Sequence, residues 1–176
     1  MQKNKFNIES QTSPGWLERS QKCAQLICSL GSRLGSNPSL ADVGCGDQKL
    51  RSYLIAENIS FRYQGFDIFP QSSDVIRFDA NLDDLGCGYD VIASLGVTEY
   101  INLPKFLSSM RKYCRFFIVS HVLRNPNQYT EEDLARLGWV NHLPAEDFEA
   151  NLSLAGFNIL QVAMTKNNKT KIWICD

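Results

Sequence analysis

Few of the features that would reveal the chemistry of this 176-residue chain directly are present. It has two histidines and six cysteines, at 23, 28, 45, 87, 114 and 175, and no two cysteines form a CxxC pair. Zinc-ribbon and redox-dithiol patterns are therefore absent, and no metal ligand set is expected. Most of the cysteines sit in apolar runs, which suits structural thiols in a reducing cytoplasm better than disulfides. No apolar run approaches the roughly 20 residues of a membrane span. Residues 1–10 also lack the apolar stretch of a signal peptide. A cytoplasmic protein without a membrane partner is expected. Net charge is nearly absent too: 18 basic against 19 acidic residues leave −1 with histidine neutral. Without a dense Lys/Arg run there is no track for a nucleic-acid backbone, so a nucleic-acid partner is not expected.

What is present is ordinary for one globular domain: 44% apolar and 21% charged residues. Residues 1–15 are polar and irregular, a flexible lead-in, and 16–176 read as a single domain. Helical spacing of apolar residues covers 16–34, with Gly35 and Pro38 closing it. A short buried strand at 40–43 runs into Gly44-Cys45-Gly46. A helix over 49–58 follows, with Leu50, Leu54 and Ile55 inward. Strands are predicted at 61–67, 74–79, 89–94 and 115–120, with a helix at 104–113 before the last of them. Thr130 to Asp133 carry a capping signature that opens a short helix, and another helix spans 145–155. Strands at 158–164 and 170–175 flank the polar turn Lys166-Asn167-Asn168-Lys169 and should pair as an antiparallel hairpin. Five strands separated mostly by helices imply parallel units covered on both faces, and the hairpin adds one reversed strand.

The most informative stretch is Asp42-Val43-Gly44-Cys45-Gly46, a strand end that becomes a side-chain-poor bend before a helix. Glycines there let backbone approach a ligand, at the edge of an open α/β sheet where ligands bind. A plain strand-to-helix turn would use the same residues. The dinucleotide fingerprint fails, because Lys49 stands at its third glycine, and no phosphate-binding GK[ST] follows. An acidic residue two before the first glycine would repel phosphates and suits a ligand with a cationic amino group. Asp67 ends the second strand 21 residues past Gly46, where a carboxylate can accept from both ribose hydroxyls or cap its own loop. Asp79 ends the third strand and is otherwise a turn residue.

This pattern resembles class I, Rossmann-like, S-adenosylmethionine-dependent methyltransferases. Asp42, Gly44 and Gly46 match their first motif, and Gln48 replaces its third glycine. The resemblance implies a three-layer α/β sandwich with a mostly parallel seven-stranded sheet and a C-terminal antiparallel hairpin. It implies S-adenosyl-L-methionine as cofactor and S-adenosyl-L-homocysteine as product. The loop, Cys45 included, would wrap the methionine part. Asp67 with Ile68 would hold the ribose, Asp79 and Ala80 the adenine, and Ser94, Leu95 and Gly96 would line the methyl-transfer point. Glu99 and Tyr100 are read as helix-start and core residues at least as readily as site residues.

The acceptor is less legible. A hydroxyl acceptor benefits from a general base, and an imidazole titrates near neutral pH. His121, just after the fifth strand, and His142, in the overhanging segment, are the candidate catalytic residues; each would serve equally as a hydrogen-bonded structural histidine. Trp139, Asn141 and His142 form a candidate acceptor pocket or a packed loop anchor. The Asn/Asp-Pro-Pro-Tyr signature of amide and exocyclic nitrogen methylation does not follow the fourth strand, and the Pro-Cys of cytosine methylation is missing. A small molecule or glycan-type hydroxyl is the expected acceptor, with methyl transfer to oxygen or nitrogen. A protein side chain comes second, and a non-catalytic cofactor- or partner-binding relic of the fold is the alternative.

Overall fold

The computed structural model describes residues 14–125 and 129–176. The expected lead-in falls outside them except for Pro14 and Gly15, which open helix α1 (Pro14–Leu30). The buried stripe of α1 runs through Cys23, Ala24, Leu26, Ile27 and Leu30, but begins with two polar residues, Arg19 and Ser20. The helix ends four residues before the predicted 34, because Gly31 takes a positive φ of +48° and Gly31–Arg33 tightens into a 3₁₀ turn.

Strand β1 (Ser39–Val43) leads into α2 (Lys49–Ala56). Leu50 and Leu54, one turn apart, are the buried residues of α2, whereas Ile55 is 65% exposed, contrary to expectation. One step past Leu54 turns the side chain by about 100° and off the inner face. Asn58, at φ +55°, leaves the helix short of the predicted end. Strands β2 (Arg62–Asp67), β3 (Val75–Arg77) and β4 (Tyr89–Ser94) follow. β3 is shorter than predicted: the side chains of the flanking Asp74 and Asp79 are occupied in local hydrogen bonds, accepting from Ser72 and from the Asn81 N–H. A 3₁₀ turn at Thr98–Tyr100 precedes α3 (Leu103–Tyr113), whose cap, Asn102, accepts from the Lys105 N–H.

Strand β5 (Cys114–Val122) outruns its predicted end by two residues, since β7 (Thr170–Cys175) pairs with it out to Val122↔Thr170. α4 (Glu131–Leu137) is opened by a full capping box between Thr130 and Asp133. α5 (Ala145–Leu154) and β6 (Ile159–Met164) complete the chain with β7. The strand order is β3-β2-β1-β4-β5-β7-β6, with β1 to β5 parallel and β7 antiparallel to both neighbours. Alternate residues of β5 feed opposite cores: Phe117 and Val119 join α3 and α5, while Phe116 and Ile118 join α1 and α2. The result is the expected three-layer, mixed seven-stranded α/β sandwich. Its strand order reverses between β1 and β4, and their carboxyl ends open a crevice there.

Candidate active site

At the end of β1 the backbone turns sharply: the N–H groups of Gly44 and Cys45 both donate to the Phe66 carbonyl, at 2.7 and 3.1 Å. Gly44 has φ +79°, and a Cβ on it would stand 2.1 Å from Val97 Cγ2. Cys45 Sγ packs over Gly65 of β2, where a Cβ would meet it at 2.9 Å. Gly46 differs: its φ is +52°, but nothing lies within 4 Å of its Cβ position. Its N–H donates to Asp67 Oδ2 at 2.8 Å, and the Phe69 N–H donates to Asp67 Oδ1 at 2.9 Å. Each Asp67 oxygen thus keeps a lone pair for a further donor.

Asp42, Gly44, Cys45 and Gly46 line one cavity of about 330 Å³, together with Asp67 and Ile68 at the end of β2 and Asp79 and Ala80 after β3. Leu95 and Gly96 after β4 close it, and Trp16 and Tyr100 reach it from α1 and the 3₁₀ turn. Ser94 lies outside the lining, fully buried, with a hydroxyl that finds no partner among the described residues.

Asp42 is only 3% exposed and accepts from the Tyr63 hydroxyl at 2.6 Å. Burial pushes its carboxyl up to about 7, against the pull of the Tyr63 bond, and the nearby Asp67 and Asp47 add to the rise. It faces the cavity as a carboxylate in want of a cation.

Gln48, where the motif has its third glycine, sits in the left-handed region at φ +61° and ψ +36°. Its side chain turns outward, donating to Ser72 Oγ and Asp74 Oδ1 at 3.0 and 3.2 Å and accepting from Arg51 at 3.0 Å. The backbone therefore keeps the glycine-like conformation while the amide ties the loop to the β2–β3 connection. Gln48→Gly should relieve about 1 kcal/mol of backbone strain and lose exposed hydrogen bonds of similar worth. Its melting temperature and cofactor affinity, read by thermal shift and calorimetry, are expected to stay close to those of the parent.

Neither histidine lines the cavity. His121 falls inside the extended β5 and is completely buried, stacked on Phe148 at 4.7 Å between ring centres. The Leu143 N–H donates to its Nε2 at 3.1 Å. Nδ1 lies 3.0 Å from Thr98 Oγ1, a hydroxyl whose own hydrogen goes to the Ser120 carbonyl. The neutral Nδ1–H form satisfies this network, and burial lowers the imidazole's proton affinity. His142 has Nε2 3.2 Å from the Leu123 carbonyl and packs against Tyr129 and Trp139. Asn141 donates to the carbonyls of Thr98 and Ile101, at 2.8 and 2.6 Å, strapping its loop to the 3₁₀ turn. Of the predicted acceptor group, Trp139 alone lines a second, smaller cavity.

A family model described as a methyltransferase domain matches residues 16–162. The chain belongs to that methyltransferase family. Solved structures show the same fold at low identity. The magnesium protoporphyrin IX methyltransferase of Synechocystis PCC 6803, with bound S-adenosylhomocysteine, aligns with a TM-score of 0.71 and 18% identity, over 92% of this chain and 82% of its own. An S-adenosylmethionine-dependent methyltransferase from Clostridium acetobutylicum aligns at 0.66 and 11%, over 90% and 91%. DesVI of Streptomyces venezuelae aligns at 0.60 and 13%, over 90% and 92%. No curated protein sequence matches the chain.

The methyltransferase takes its methyl group from S-adenosylmethionine, and the cavity suits that molecule. A buried carboxylate without a cation, an open cradle at Gly46 and a free acceptor site on each Asp67 oxygen answer an ammonium, a backbone-contacting tail and a ribose diol. Among the described residues no helix is long and apolar enough to cross a membrane.

Proposed function

We propose that this methyltransferase moves the methyl group of S-adenosylmethionine to an oxygen or nitrogen of a small-molecule acceptor, a glycan-type hydroxyl included. It would act in the cytoplasm without a nucleic-acid partner. The observation that carries the reading is the convergence of four separate strand ends, those of β1, β2, β3 and β4, on one cavity. In this reading Asp42 faces the cofactor's amino group and the Gly44–Gly46 backbone approaches its methionine part. Asp67, next to Ile68, accepts from the ribose, Asp79 and Ala80 meet the adenine, and Leu95 and Gly96 flank the methyl.

The bound cofactor supplies an activated methyl on a positively charged sulfur. What the chain then supplies is mainly positioning: holding an acceptor in line with that methyl converts a bimolecular step into an effectively unimolecular one. Because both imidazoles are engaged away from the cavity, the reading assigns neither of them as base.

Calorimetric titration with S-adenosylhomocysteine tests it. Micromolar binding is expected, with at least a tenfold loss in Asp67→Ala. That variant also gives up acceptors for two backbone N–H groups and should lose about 1–3 kcal/mol of stability. No heat and no thermal shift with either S-adenosylmethionine or S-adenosylhomocysteine would sink the reading.

A further inference from the structure

A second chamber of about 250 Å³ lies on the α1 side of the sheet, lined in part by Arg19, Tyr129, Trp139 and Thr170. It opens where the apolar packing under α1 gives out. Ile172 and Ile174 of β7 pack into the cluster that holds Cys23, Ala24 and Ile27 of α1. Alternate residues of a strand share a face, so the next member of that β7 row is Thr170. The buried stripe of α1 likewise turns polar toward its start, at Arg19 and Ser20.

Arg19 is only 7% exposed, and its guanidinium stacks on Trp16 at 4.0 Å. It has room because residue 96 is glycine: a Cβ there would stand 2.7 Å from Arg19 Nη1. Among the described residues the guanidinium makes no hydrogen bond and no salt bridge. Its nitrogens are nevertheless not sealed. Among the described residues, the side-chain polar atoms that are both sealed and unpartnered are Ser94 Oγ and Glu99 Oε2. The unpaired donors of Arg19 therefore border open space, and the space that Arg19 lines is this chamber. Burial pulls the Arg19 pKa down, against the opposing pull of Glu99 and Tyr100.

A buried charge without a partner is costly, and such a group calls for an occupant that pairs with it. Glu99 does not fill that role: its Oε1 accepts the Val122 N–H at 2.8 Å, and Oε2 is closed off. Lys166 and Lys169 stand exposed on the turn that brings Asn167 to the lining, against Glu18, which accepts the Lys166 N–H at 2.7 Å. The guanidinium edge presents paired donors that match a carboxylate in a bidentate contact. The other walls are aromatic: Trp139 donates through Nε1 to the Tyr100 hydroxyl at 2.9 Å, and Tyr129 leans on Trp139 at 5.1 Å between ring centres. Such walls suit a flat ring, and a volume below the usual ligand-pocket range of about 300–1,000 Å³ limits the occupant to one.

We propose that the chamber binds a small aromatic carboxylate, its carboxylate paired by the Arg19 guanidinium and its ring set among Trp16, Tyr129 and Trp139. It is a binding site additional to the cofactor cavity, since Arg19, Tyr129 and Trp139 line the chamber alone.

Calorimetric titration of the full chain tests this, with benzoate, its neutral isostere benzamide, cationic benzylamine and inorganic phosphate as probes. Each is titrated with and without saturating S-adenosylhomocysteine. Expected are saturable binding of benzoate, at least tenfold weaker binding of benzamide and of phosphate, and none of benzylamine. Benzoate should still bind when S-adenosylhomocysteine is saturating. Arg19→Met keeps much of the stem that packs on Trp16 and should weaken benzoate tenfold or more, with S-adenosylhomocysteine affinity within threefold of the parent. Where that variant does not fold, the parent's preference for benzoate over benzamide decides the matter. No benzoate binding, or equal binding of benzoate and benzamide, overturns the proposal. So does unchanged benzoate affinity in folded Arg19→Met. Displacement of benzoate by S-adenosylhomocysteine would place it in the cofactor cavity and overturn the separate site, and phosphate binding more tightly than benzoate would overturn the aromatic assignment. S-adenosylhomocysteine binding is read in the same titrations, so the methyltransferase reading stands or falls on its own result.

Discussion

Asp42→Asn is expected to stabilise the ligand-free protein above pH 7 and, in the same molecule, to abolish tight cofactor binding. The carboxyl titrates near 7 in the fold because it is buried, with two other acids adding to the rise and the Tyr63 bond opposing it, against about 3.9 in an unfolded chain. Between those values the native state holds a proton that the unfolded state has released, so stability falls as pH rises through the window from about 4 to about 7. The full difference, about three units at 1.4 kcal/mol each, bounds the loss at roughly 4 kcal/mol. Asparagine keeps the shape and can still accept from Tyr63 but has no proton to lose. Thermal melts should therefore coincide at pH 4.5 and separate by several degrees at pH 8, the variant melting higher. An offset that is the same at both pH values would show that the burial of this charge is not the cause.

Binding should move the opposite way. A cationic amino group opposite Asp42 favours its ionised form, so parent affinity for S-adenosylhomocysteine should weaken as pH falls below 7, by up to about tenfold per unit. The asparagine variant should show no such slope. It should also bind more weakly at pH 8 by roughly 10- to 100-fold, the worth of a hydrogen bond to a charged group at about 1.5–3 kcal/mol. The cost of this residue to the free fold and its value to the complex are one electrostatic fact seen in two states.

The lining of the larger cavity was legible because it is local. Asp42 to Gly46 is one stretch of chain, Asp67 ends a strand that its own residues mark out, and Asp79 and Leu95 each follow one. Gln48 shows the limit of matching by residue type, since it takes the backbone conformation of the glycine it replaces. The second, smaller cavity was not legible in the same way. Trp16 and Arg19 sit one turn apart on α1, but Glu99 and Trp139 are distant from them in the chain, and packing brings the four together. One signal was available: Arg19 and Ser20 begin a stripe of α1 that is otherwise apolar, and polar residues on a buried face ask for a partner. A strand ending at residue 120 leaves His121 at the ligand edge of the sheet, whereas β5 runs on to Val122. The place of His121 is decided by pairing with β7, a contact across some 50 residues that no local pattern reports.

Gly44→Ala and Gly46→Ala are the sharpest pair of tests of how the loop is built, since the two glycines share a backbone region and differ in what surrounds them. At Gly44 the new methyl would meet Val97 Cγ2 at 2.1 Å, far inside contact distance. Val97 cannot simply withdraw, because its carbonyl accepts the Tyr100 N–H at 2.9 Å and it follows Gly96 in the wall shared by both cavities. Left-handed backbone costs an L-residue roughly 1–2 kcal/mol, and overpacking adds about 1–3 kcal/mol. Gly44→Ala should therefore lose about 2–5 kcal/mol and its cofactor affinity together. Adding Val97→Ala should return the overpacking part and leave the backbone part, a positive coupling in a double-mutant cycle. Strict additivity of the two changes would mean that Val97 is not what Gly44 makes room for. Gly46 has nothing within 4 Å of its Cβ position. Gly46→Ala should cost only the roughly 1–2 kcal/mol of the backbone, yet its methyl projects into the cradle. There the loss of S-adenosylhomocysteine affinity should exceed the loss of stability, the reverse of a glycine needed for the fold alone.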